Sequence, residues 1–126
     1  MDFNKYKGIV ELEIYGEKRY FKFGTMQMDL LCELEGKTVQ ELVPLLDDKT
    51  NVKIQISFYY CAALAYVRLF NDEHEEKLKE PTRNQVANWM DSVGTDQREK
   101  MNETAFSQAF PNEEAPKEEV KTEGQS

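Results

Sequence analysis

A single histidine in 126 residues leaves acid–base and metal chemistry little to work with. It is His74, in "DEHEEK", which begins like half of a zinc-protease helix. Leu78 stands where the second histidine belongs, so the pair needed to hold zinc is missing. Cysteine is as scarce: Cys32 and Cys61 cannot make a disulfide framework, and their apolar helical contexts suit small, reduced, buried hydrophobes. Positive charge is short too, with 16 Lys and Arg against 24 Asp and Glu, a net −8. That balance excludes the basic footprint a nucleic-acid binder sets against phosphates, and it disfavours anionic lipid. The longest apolar run, "NVKIQISFYYCAALAYVRLF" at 51–70, is interrupted by Lys53, Gln55 and Arg68. Each central charge costs about 2.5–3.5 kcal/mol in a bilayer, so a buried helix is the better reading than a membrane span. "MDFNKYKG" at the start has no signal-peptide apolar core.

Catalytic signatures are missing as well. There is no nucleophile elbow, phosphate loop, dinucleotide fingerprint or zinc-finger spacing. The acid clusters near 72–76 and 113–119 lack the alternating oxygen ligands and turn glycine of a calcium loop. Glu11 and Glu13 fall on one outward strand face, where nothing desolvates them for acid–base work. The expectation is therefore a non-enzyme, with no catalytic residues, no cofactor and no metal.

What is there is local structure. "VELEIYGEKRYFKFG" at 10–24 reads as a hairpin with one apolar face: Val10, Leu12, Ile14, Phe21 and Phe23. Taking Gly16-Glu17 as a type II′ loop pairs Leu12 with Phe21, Val10 with Phe23 and Glu11 with Lys22. A lone hairpin is marginal in water, so a helix must cover that face. The next segment is the candidate: Thr25 reads as its N-cap, Met28, Leu31, Cys32 and Leu34 as its stripe, Gly36 as its end. Thr38 and Glu41 form a capping box for a second helix, in which Pro44 should kink or shorten the chain.

Residues 51–70 then supply a central helix with Ile56, Tyr59, Tyr60, Ala63, Leu64, Val67 and Phe70 at helical spacing and an ambiguous first turn. This helix is expected to pack against the hairpin and the first two helices. A charged helix end and linker follow, stopped by Pro81, and Thr82 with Gln85 caps a short helix lined by Val86, Trp89, Met90 and Val93. Thr95 opens a last, polar helix with Met101, Ala105, Phe106, Ala109 and Phe110 as its sparse apolar positions. Residues 111–126 are acidic and proline-broken, with the composition of a disordered tail.

The fold class expected is α+β and mainly helical: an N-terminal hairpin on about five helices in one domain over 1–110, then the acidic tail. Function then rests on surface. The hairpin edges offer strand pairing. Tyr59, Tyr60, Tyr66 and Phe70 exceed what one helix face needs, and Trp89, Phe106 and Phe110 are apolar anchors on weak helices. These seven are the candidate partner-binding residues; core packing is the plainer account of each.

"ELEIYGEKRYFKFGTMQM" followed by "LCELEGKTVQELVPLL" resembles the tail assembly chaperones of long-tailed bacteriophages and prophages. Phe21, Phe23 and Gly24 match that family's strand end, and Gly36, Thr38, Glu41 and Leu42 its second helix start. "NQVANWMDSVG" is similar to a later segment of the family through Val86, Trp89, Met90, Asp91 and Gly94, and the likeness spans roughly 8–110. The resemblance implies a cytoplasmic, non-enzymatic protein that binds the tape measure protein, keeps it soluble while the tail tube assembles, and is absent from the mature virion. It also implies possible self-association, and contact with tail tube protein through a frameshifted longer form. Rival readings are a structural virion component, such as a minor tail or head–tail connector protein, and a small host-directed adaptor.

Overall fold

The computed structural model describes residues 8–109, with side chains described as far as 107. Strands β1 (Ile9–Ile14) and β2 (Glu17–Lys22) are followed by helices α1 (Thr25–Glu35), α2 (Val39–Asp47), α3 (Val52–Glu73), α4 (Arg83–Met90) and α5 (Thr95–Ala109). This is the α+β, mainly helical fold expected from the sequence, with a two-stranded antiparallel hairpin at its start.

The hairpin turns one residue earlier than the Gly16-Glu17 loop. Ile14 faces Glu17, Leu12 faces Arg19 and Val10 faces Phe21. The loop is Tyr15-Gly16, with φ of 51° and 78°, the two positive values a type I′ turn requires. A tyrosine in the left-handed region costs about 1–2 kcal/mol. The Tyr15 hydroxyl offsets part of this by donating to the Asn88 carbonyl of α4 at 3.0 Å. The shift is two residues in pairing, so side-chain parity survives. Val10, Leu12, Ile14, Phe21 and Phe23 still share one buried face. The expected Glu11–Lys22 pair does not form; Glu11 faces Tyr20, and its carboxylate lies 3.8 Å from Lys18 Nζ.

The helix that covers this face is not α1. The hairpin residues cluster with Tyr59, Ala62 and Ala63 of α3, Val86 and Met90 of α4, Val93, and Met101 and Ala105 of α5. Helices α1 and α2 build a second cluster on α3 from Met28, Leu31, Leu42, Ile54 and Cys61. Helix α3 divides the two and is buried on nearly all sides from Cys61 to Val67. The expected packing of α3 on the hairpin and the first two helices therefore holds, but in two separate clusters. The polar helix α5 docks by Met101 and Ala105, 0% and 3% exposed, rather than by Phe106.

Local signals explain most boundaries. Thr38 and Glu41 close the capping box, with Glu41 N donating to Thr38 Oγ1 at 3.2 Å and Thr38 N to Glu41 Oε1 at 2.9 Å. Thr82 and Gln85 do the same for α4. Helix α2 runs on through Pro44. The N-cap of α1 is Gly24, not Thr25, at φ 140°, a conformation that glycine alone adopts readily. Its N–H donates to Gln27 Oε1 at 3.5 Å, and Gln27 Nε2 donates to the Phe58 carbonyl at 3.0 Å. This buried amide ties the hairpin exit to α3.

Helix α3 ends at Glu73, well before Pro81. The His74 ring meets the Phe70 carbonyl at 2.9 Å, and Lys77 Nζ donates to the Asn71 and His74 carbonyls. Side chains thus take up the last-turn acceptors that would otherwise demand more helix. Residues 74–82 form an irregular strap. Asn71 holds Leu78 through both its backbone groups, Arg68 Nε holds Glu80 Oε2 at 2.9 Å, and Pro81 is buried.

Candidate functional site

The strap does not lie flat. Between it, β2, α3 and α4 is an open groove of about 700 Å³. One wall is Ala63, Tyr66, Val67 and Phe70 of α3. Facing them are Arg19 and Tyr20 of β2, Trp89 of α4, and Leu78 and Pro81 of the strap.

Helical spacing puts Tyr66 and Phe70 on one stripe, one turn apart. Tyr66 stacks on Tyr20 at 4.9 Å between ring centroids and meets Phe70 at 6.2 Å, and Phe70 stacks on His74 at 3.9 Å. Burial and the neighbouring Tyr20 push the Tyr66 phenol above its ordinary pKa, so Tyr66 stays a neutral donor near neutral pH. Trp89 is half-buried, edge-on to Phe21 at 6.5 Å. The Arg19 guanidinium lies over its ring at 4.5 Å, a cation–π arrangement. Arg19 Nη2 also reaches Glu17 Oε1 at 3.2 Å. Its Nε is buried and makes no hydrogen bond among the described residues.

Of the seven residues expected to bind a partner, the groove unites Tyr66, Phe70 and Trp89. Tyr59 is a correction. It is 2% exposed, and its hydroxyl is bonded to Asn102 of α5, so it serves the core. Tyr60 is half-buried against both clusters. Phe106 is exposed at 37% and borders a smaller hollow of about 140 Å³ with Met28, Leu46 and Phe58. Phe110 lies outside the described residues, as does the acidic segment 111–126.

Sequence reasoning missed Arg19, Tyr20 and Leu78. Two signals were present. Arg19 shares strand parity with Phe21 and Phe23, so a cation sits in line with an apolar face. Tyr20 is an aromatic on the outward parity. Leu78, 40% exposed, had no periodic context to reveal it.

Both cysteines are free. Burial pushes the Cys61 thiol up to about 12, removing it as a nucleophile. Among the described residues no group of three His, Cys, Asp or Glu side chains converges as a metal site. No helix among them is long and apolar enough to cross a membrane. Comparison with protein-family models, curated proteins and solved structures returns no match to the chain.

Proposed function

We propose that this protein is a tail assembly chaperone of the long-tailed bacteriophage type. It acts without catalysis in the host cytoplasm, holding the tape measure protein soluble until the tail tube forms, and is left out of the finished particle. The observation that carries the reading is an open aromatic groove on a body of net charge −8. Apolar side chains cover a greasy client, while like charge keeps complexes apart.

The motif residues behind the family resemblance are mostly scaffold. Phe21, Phe23, Leu42 and Val86 are fully buried, and Thr38 with Glu41 caps a helix. Among them only Trp89 lines the groove. The resemblance thus supports the reading through the fold, and the groove supports it through chemistry.

Co-expression with a tape measure fragment tests the proposal. The fragment should move to the soluble fraction and co-purify with this chain; no gain in its solubility would overturn the reading. Mass spectrometry of purified particles separates it from a minor tail or connector protein, because the chaperone should be missing from them.

A further inference from the structure

We infer that the aromatic groove takes an amphipathic helix whose apolar stripe is flanked by carboxylates, read by Lys79 and Arg19 at its rim. This rests on the chaperone reading and specifies the surface of the client.

Strand addition is the first rival. The groove runs beside β2, and consecutive residues from Glu17 to Tyr20 line it. In this register Ile14–Glu17, Leu12–Arg19 and Val10–Phe21 are the hydrogen-bonded pairs, as the Phe23 N to Gly8 O bond of 2.8 Å continues. The alternate residues of β2 turn their backbone groups outward. From Tyr20 onward, however, α3 lies along the strand: Tyr20 stacks on Tyr66, and Phe23 meets Phe58 at 5.8 Å and Tyr59 at 6.4 Å. That leaves Lys18 as the one outward rung beside the open groove, too little for a ladder. The groove is therefore built to receive side chains. Its volume falls within the range of sites that enclose a few apolar groups, and a helix presents such groups at three- and four-residue spacing.

Charge fixes the polar side of the occupant. Around the groove and its ion-pair partners stand four cations, Lys18, Arg19, Arg68 and Lys79, and three carboxylates, Glu11, Glu17 and Glu80. Lys79 is exposed and has no ion pair among the described residues. The groove lining itself, Lys18, Arg19 and Lys79 against Glu17 and Glu80, thus carries one cation in excess on a chain that is strongly negative overall. A client helix with acidic flanks meets local attraction here and repulsion elsewhere on the surface.

Trp89 is the sole tryptophan, so all tryptophan fluorescence arises at the wall of this groove. The test uses two synthetic helices with the same leucine stripe, one flanked by Glu and one by Lys, titrated into the full chain. The Glu peptide should shift Trp89 emission to shorter wavelength and bind about fivefold more tightly, although the net charge of the protein opposes it. Lys79→Glu should abolish that preference with an unchanged melting temperature. Phe70→Ala should weaken both peptides together.

Equal affinities, or binding without a change in Trp89 emission, would overturn the inference. So would a dimer of the wild-type chain that Lys79→Glu dissociates, since a second copy would then fill the groove. The tape measure fragment separates the two levels. If it stays soluble with Phe70→Ala while the peptide preference is absent, the groove assignment fails and the chaperone reading stands. If the peptides behave as expected but no tape measure fragment is held, the chaperone reading fails and the groove remains.

Discussion

The two clusters on either side of α3 are built differently. On one side lie α1 and α2, joined by a short connection and contributing mainly aliphatic side chains around Leu31 and Leu42. On the other lie the hairpin, α4 and α5, drawn from both ends of the described chain and rich in aromatic rings. The first cluster assembles from neighbours in sequence. The second requires the hairpin to wait for helices that follow some sixty residues later, a costlier loop closure. It also borders the larger of the two hollows described above, the groove below Arg19 and Tyr20.

The strongest way to break this contrast is Phe21→Ala. Phe21 is fully buried at the centre of the long-range cluster, and its loss should cost about 3–5 kcal/mol. Hydrogen exchange should then rise in the hairpin, α4 and α5 together, with a lower midpoint in urea. Leu42→Ala probes the other side. Leu42 is the one fully buried residue of α2, and the change should cost about 2–5 kcal/mol. Exchange should rise first in α1 and α2 and leave the hairpin protected. Matching exchange patterns for the two variants would show that the clusters are one cooperative unit.

Gln27→Leu sharpens the boundary between them. It strips the Phe58 carbonyl and the Gly24 N–H of their shared partner, at a cost of about 1–3 kcal/mol. Gln27→Glu keeps the acceptor for Gly24 but not the donor to Phe58, and denaturation of both variants apportions the two bonds.

The smallest effect is a titration. Cys61 rises from an ordinary 9.0 to about 12 on folding because burial disfavours the thiolate. A raised pKa adds stability that is complete below the unfolded value and is lost as pH climbs from 9.0 towards 12. Thiol labelling at about pH 8 should therefore modify the half-buried Cys32 in the folded protein, and Cys61 only after unfolding. Early labelling of Cys61 would place an opening motion in the α1–α2 side.

Legibility followed the same division. Helix starts were readable because Thr38 with Glu41 and Thr82 with Gln85 are local chemistry, contained within four residues. The apolar face of the hairpin was readable because strand parity survives a two-residue slip. Its register was not, since Tyr15 takes a conformation stabilised from Asn88, 73 residues away. Nor was the end of α3: Pro81 looked like the stop, but Lys77, His74 and Asn71 finish the helix earlier through side-chain bonds. The groove was half-legible. Tyr66, Phe70 and Trp89 stood out as surplus aromatics, whereas Arg19 gains meaning only from the Trp89 ring of α4 beneath it, and Leu78 only from a strap without periodicity.

Three alanines at the middle of α3, Ala62, Ala63 and Ala65, have at most 2% of their surface exposed. They set a ceiling on size where the chain is most crowded. Widening any of them by one or two carbons would push against the walls of both oily compartments, and the strain would be shared by partners that never meet. Variation in this protein should therefore be tolerated least at its smallest side chains, and a saturation library scored for folded yield would find its deepest minimum there.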